Sequence, residues 1–287
     1  MSKTIYIGYY FVALIDIVGQ RDKLKQLEKL PRNDVENQRV AHILNETSEY
    51  VKELRRQFNT LFNASEKATG LLDGLNTEQR AWAEQRKQNH MWRRGFSDSY
   101  VMTVPCYYES SWGAHSLDIY RSLFSICGLF IWALAMKKPF RGSVEVGLGT
   151  EISPGEVYGP VNIRVFELEK HAGYPRIVVG NGLMNHLDDL ERRCLDNLEG
   201  RHTKQSIKNC RELVTTDHTD TLILDPMGEG VKSVPGAVAP DMIKRSYEFV
   251  ISQEEFFSKS DRKLHGYYRQ LRKYCESRLT VWGLSPI

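Results

Sequence analysis

No two of the chain's five cysteines (Cys106, Cys127, Cys194, Cys210, Cys275) sit at C-x-x-C spacing, and their number is odd. This argues against thiolate zinc and against a disulfide framework; with no secretory leader at Met1, a reducing cytoplasm is the expected setting. There is no Walker lysine loop and no Gly-x-Ser-x-Gly elbow, and the eight histidines lack metal-ligand spacing. Hydrolase and zinc-enzyme readings therefore lose their support. Gly147-Leu148-Gly149-Thr150-Glu151-Ile152 opens like a dinucleotide fingerprint but has no third glycine. The longest apolar run, Leu123 to Met136, is about 14 residues and too short to span a bilayer, so it reads as a buried helix and no membrane partner is expected. A net charge of +3 is too balanced for a polyanion binder. Only the stretch from Arg262 to Arg278 is locally basic, with Tyr267, Tyr268 and Tyr274 interleaved; single-stranded nucleic acid is the minor reading there and a solvated or dimerising helix the major one.

What is present is ordinary for a folded domain: 287 residues, 41% hydrophobic and 26% charged, enough to bury a sizeable core. An apolar run around residues 11–18 reads as a buried strand. Helical spacing follows over 22–30 and 33–72 (Val40, Ile43, Leu44, Val51, Leu54, Phe58, Leu61). Residues 63–90 read as a polar insertion, after which a hairpin leads to a core helix at 116–136. A strand at 140–149, a helix at 159–172, a strand at 176–179, a helix at 183–198 and a strand at 221–224 complete an α/β sandwich. Residues 227–287 read as a helical, basic extension of a domain spanning 1–226.

Two stretches carry chemistry. Phe11-Val12-Ala13-Leu14-Ile15-Asp16-Ile17-Val18-Gly19 and Gly95-Phe96-Ser97-Asp98-Ser99-Tyr100 each set one acid at the edge of an apolar strand. Burying an unpaired carboxylate there costs several kcal/mol unless a cation or donors compensate it. Hard oxygen ligands at strand ends suit Mg²⁺ or Mn²⁺. A strand-end aspartate serves equally well as a helix or turn cap, and both readings stand at this point.

In order, Phe11 to Gly19, Phe96 to Ser99, Phe-Arg-Gly-x-Val-x-x-Gly (Phe140 to Gly147) and the helix from Gly159 to Glu169 resemble the class III nucleotidyl cyclases. Leu168-Glu169 followed by Tyr174-Pro175-Arg176-Ile177-Val178-Val179 is similar in particular to the bacterial pyrimidine cyclases of the Pycsar antiphage systems. The resemblance covers residues 5–225. It implies a cyclase sandwich with a ferredoxin-like βαββαβ core, a helical insertion and a helical C-terminal extension.

The resemblance also implies roles. Asp16 and Asp98, with the carbonyl of Ile17, would hold two Mn²⁺ or Mg²⁺ ions per active site. Amides of Val18, Gly19 and Gln20 would cradle phosphates, and Arg141 would bind the triphosphate. Arg94 and Glu156 stand at the two base-selecting positions, which in the family act from the partner subunit; an arginine donating to a carbonyl fits uracil O4, so UTP is the favoured substrate. Ile163 and Glu167 occupy helix positions where the family carries Asn and Arg, Asn162 is one residue out of phase, and Arg164 is the candidate replacement cation. The implied partners are a second copy forming composite active sites and a separate cyclic-nucleotide effector. Cytidylate or purine cyclization, or nucleotide sensing without turnover, are the alternatives.

Overall fold

The structure, a computed structural model, describes residues 7–27, 29–68, 91–96, 99–106, 112–153 and 155–287. In chain order these form β1 (Ile7–Ile17), α1 (Gln20–Lys25), α2 (Asp34–Ala68), β2 (Trp92–Phe96), β3 (Ser99–Pro105), α3 (Trp112–Ala135), β4 (Phe140–Ser153), β5 (Glu156–Tyr158), α4 (Pro160–Lys170), β6 (Ile177–Val179), α5 (Asn181–Arg193), α6 (Leu198–Glu212), β7 (Val214–Thr216), β8 (Leu222–Leu224), α7 (Glu229–Lys232), α8 (Pro240–Phe257) and α9 (Arg262–Arg278). Most of the expected insertion, residues 69–90, lies outside the described residues.

The strands make one sheet in the order β2-β3-β1-β4-β6-β8-β7, with β5 paired to β4. β2-β3-β1-β4, all antiparallel, is the order of a ferredoxin-like βαββαβ core, as expected. β1 sits at its centre, bonded to β3 on one edge and β4 on the other. Because successive side chains point to opposite faces, β1 sends Phe11, Ala13, Ile15 and Ile17 into one core, and Tyr10, Val12 and Leu14 into a smaller one. The larger core lies under α2 and α3, where Tyr50, Leu54, Phe58 and Phe62 recur every four residues along α2. The smaller core lies under α4, which contributes Val161 and Val165.

α3 is longer than its apolar run suggested. Over Ser116–Ala135 it is long and apolar enough to cross a membrane, yet 89% of that stretch is buried within the protein. Several of its polar groups bond within the protein: Ser122 donates to the Asp118 carbonyl at 2.7 Å, and buried Arg121 donates to the Phe62 carbonyl at 3.1 Å while lying over the Phe62 ring.

The C-terminal helices share the larger core rather than a separate one. Ile243, Tyr247, Val250, Leu271 and Cys275 are buried in the same cluster as Phe11 and Ile15. Tyr274 donates to Asp225 Oδ1 at 2.7 Å, Arg278 Nε lies 3.0 Å from both Asp225 oxygens, and the Trp282 indole donates to the Met227 carbonyl at 2.8 Å. This corrects the nucleic-acid reading of the basic stretch: Tyr268 and Tyr274 are buried, and Arg272 is paired with Glu254 and Glu276, so two of the three tyrosines offer no stacking surface.

A second buried pair ties β6 to the β7–β8 turn. Arg176 and Asp217 form an ion pair, and Tyr174 donates to the same carboxylate at 2.7 Å. Burial alone pushes Asp217 up, but bonds from Thr219 and Tyr174 and the charge of Arg176 outweigh it and hold the carboxyl well below its ordinary value.

Asp225→Ala strands Arg278 and Tyr274 and is expected to cost about 3–5 kcal/mol by urea denaturation, in a single transition for the whole chain. A loss under about 1 kcal/mol, or two separate transitions, counts against the shared core. Since the folded Asp217 titrates below the unfolded one, its contribution is complete above about pH 4 and is lost as pH falls further. Wild-type Tm should therefore fall more steeply below pH 4 than that of Asp217→Asn.

Candidate active site

Asp16 is the last outward-facing residue of β1 on the α4 side of the sheet. The registers set it against Ser99 on β3 and Arg141 on β4. Ser99 Oγ donates to Asp16 Oδ1 at 3.3 Å, and Arg141 Nη2 lies 3.4 Å from Oδ2. Arg141 Nε also lies 2.6 Å from Glu169 Oε1, in an ion pair whose two atoms do not line up as a hydrogen bond. One guanidinium thus serves two carboxylates, leaving this triad with an excess of one negative charge. Glu169 was assigned no role by the sequence, although an acid continuing the four-residue spacing of Val161 and Val165 marks it as facing the sheet. α4 runs back along β4, so Val161 packs at Gly147, the Val165 carbonyl accepts from Ser143, and Glu169 arrives at Arg141.

Beyond β1 the chain turns at Gly19, whose φ of 87° lies in the left-handed region that glycine adopts without strain. The Val18 amide donates to the Pro139 carbonyl at 3.1 Å. That corrects its assignment as a phosphate-binding amide, because the donor is already used. The buried Gln20 side chain donates to the Thr47 carbonyl at 3.3 Å. The helix that follows has only six residues, so a helix dipole supplies little here. Ile17 pairs with Phe140 at the end of the ladder. Asp98 lies outside the described residues, as does Ser97; its neighbour Ser99 is in contact with Asp16.

Arg94 and Glu156 come together although they lie 62 positions apart in sequence. The β4–β5 hairpin reaches β2, Arg94 Nη1 lies 3.1 Å from Glu156 Oε2, and Ser153 bridges them, accepting from Arg94 at 3.2 Å and donating to Glu156 at 2.6 Å. About half of each charged side chain is exposed. The pair presents a donor edge and an acceptor edge side by side, on the face of the sheet that carries Asp16.

Arg164 is not brought to Asp16 of its own chain. It lines a cavity towards the other end of β1, with Ile7 and Tyr9. Asn162 is used structurally, its side-chain amide bonded to the Val157 carbonyl, whereas Ile163 and Glu167 are exposed. Among the described residues, no group of three or more His, Cys, Asp or Glu forms a metal cluster.

No protein-family profile matches the chain, and no curated protein matches it. Among solved structures it is similar to the catalytic core of a rhodopsin-guanylyl cyclase with converted specificity in complex with ATPalphaS, at 10% identity and a TM-score of 0.38, over 65% of this chain and 85% of that one. It is also similar to a class III adenylyl cyclase-like ATP-binding protein from Pseudomonas aeruginosa, at 13% identity and a TM-score of 0.35, over 98% of this chain and 73% of that one.

Because Arg94 and Glu156 are half in solvent, their coupling should be worth less than about 1 kcal/mol of stability in a double-mutant cycle with alanine. A coupling above about 2 kcal/mol would mark the pair as a structural clamp rather than a surface open to a ligand.

Proposed function

We propose that this chain is a nucleotide cyclase converting UTP to 3′,5′-cyclic UMP and pyrophosphate, acting as a homodimer with composite active sites. The observation that best supports this reading is the meeting of Asp16, Ser99 and Arg141 at one end of three neighbouring strands, with the Arg94–Glu156 pair on the same face. Residues far apart in sequence and matched to different roles by resemblance share one surface.

The donor set fits a hard divalent cation. Asp16 offers carboxylate oxygen, its side chain is 25% exposed, and a second carboxylate, Glu169, shares its guanidinium partner. Asp16, Asp98 and the Ile17 carbonyl would hold the two ions. When bound, such ions favour ionisation of the ribose 3′-hydroxyl and neutralise the leaving pyrophosphate. Arg141 presents its guanidinium fork to the triphosphate, and the amides of Gly19 and Gln20 would add donors to the phosphates. The 3′-oxygen forms a bond to the α-phosphorus, the bond from that phosphorus to the bridging oxygen breaks, and the hydroxyl proton leaves to solvent. In the composite site, Arg164 of the second copy would offset charge on the transferring phosphoryl group.

Base choice follows from edge chemistry. Arg94 donates to uracil O4 and Glu156 accepts from N3–H, whereas cytosine inverts both groups. Guanine carries the same pattern as uracil, which makes guanylate cyclization the second reading this pair admits. Ile163 and Glu167 in place of the family's Asn and Arg favour a third, nucleotide binding without turnover. By resemblance, cyclic UMP would act as a second messenger in antiphage defence, read by a separate effector.

The test is incubation of the purified chain with each of ATP, GTP, CTP and UTP plus Mn²⁺, with products identified by mass. Cyclic UMP should dominate, disappear with a chelator, and fall at least about a hundredfold in Asp16→Ala with the fold intact. Cyclic GMP would move the assignment to the second reading. Nucleotide binding without any cyclic product would move it to the third.

A further inference from the structure

Towards the end of the sheet remote from Asp16, a cavity of about 590 Å³ opens between β1, β4, α4 and α5, with Tyr9, Leu148, Arg164, Asn185, His186 and Arg193 in its wall. Tyr9 lies seven residues from Asp16 along one strand, or roughly 23 Å at the rise of a β-strand, so within one chain the two places are distinct. The volume falls in the range that encloses a small organic ligand.

The wall has a flat aromatic side and a cationic side. Tyr9 is 48% exposed as a residue, and its ring stacks over His186 with centroids 6.3 Å apart and planes 23° from parallel. Burial pushes His186 down to about 4, so the imidazole is neutral at physiological pH. Its Nε2 is buried without a hydrogen-bond partner. An orphaned polar atom of this kind costs about 1–3 kcal/mol. Arg164 and Arg193 supply guanidinium groups, whose planar forks match carboxylate or phosphate oxygens. Asp189, also in the wall, is paired with Arg192.

We infer that this cavity binds a planar aromatic anion, a ring carrying phosphate or carboxylate, with the ring against Tyr9 and the anion on Arg164 and Arg193. The cavity shares Arg164 with the composite site proposed above, so Tyr9 and Arg193, which that site does not use, are the residues that test it.

Calorimetric titration of the full chain, with EDTA present to exclude divalent metal, tests it with four probes: adenosine 5′-monophosphate, 4-hydroxybenzoate, inorganic phosphate and adenosine. At least one of the two ring-bearing anions should bind one to one, at least about tenfold more tightly than phosphate or adenosine. Which of the two binds more tightly tells a phosphate ligand from a carboxylate one. That binding should weaken at least about tenfold in Tyr9→Leu and in Arg193→Glu, both exposed positions, and stay unchanged in Asp16→Asn. The inference is overturned if neither ring-bearing anion binds below about 1 mM, if binding survives both cavity substitutions, or if Asp16→Asn abolishes it.

Discussion

Everything at the candidate site depends on β1 being held on four sides at once. Its edges are bonded to β3 and β4, and its two faces are covered by α2 and α3 on one side and α4 on the other. A slip of one residue would exchange the two faces, sending Asp16 towards the helices and Phe11, Ala13 and Ile15 out of their core. The apolar content of the strand thus enforces the position of its single acid, and the cost of misplacing the acid is shared by every residue before it.

The charges at the end of β1 form a second layer of constraint. Arg141 lies between Asp16 and Glu169, so neither carboxylate is left alone where the sheet shields it from water. Such an arrangement keeps a side chain ordered while leaving it able to exchange partners, because giving up one carboxylate does not strand the guanidinium. A fully matched buried pair such as Arg176 with Asp217 lacks that freedom, and it serves to hold β6 against the β7–β8 turn.

Much of this was legible in the sequence wherever apolar residues keep a regular period. The run at residues 11–18, the alternation at 140–149 and the four-residue spacing along α2 and α4 each announce their element. α6 was missed for a physical reason: it buries Thr203, Ser206, Ile207 and Cys210, so small polar side chains occupy its inward stripe and no apolar period appears. β5 and β7, three residues each, are too short to show alternation. Asp16 and Arg141 were recoverable as a strand-end acid and a strand arginine, but their contact required a register between strands 125 residues apart. The spent amide of Val18 was invisible because its partner is a backbone carbonyl, which carries no residue identity.

The burial of α3 has a consequence for biosynthesis. Its outer side is covered partly by α6 and α8, which are made after it. Until residue 257 or so has left the ribosome, the emerging chain carries a twenty-residue apolar helix with part of its cover missing. During that interval the nascent protein presents to chaperones and to the targeting machinery a segment of the length and character they read as a membrane span. Its Ser and Arg side chains, bonded to neighbouring carbonyls in the finished fold, are what distinguish it from one.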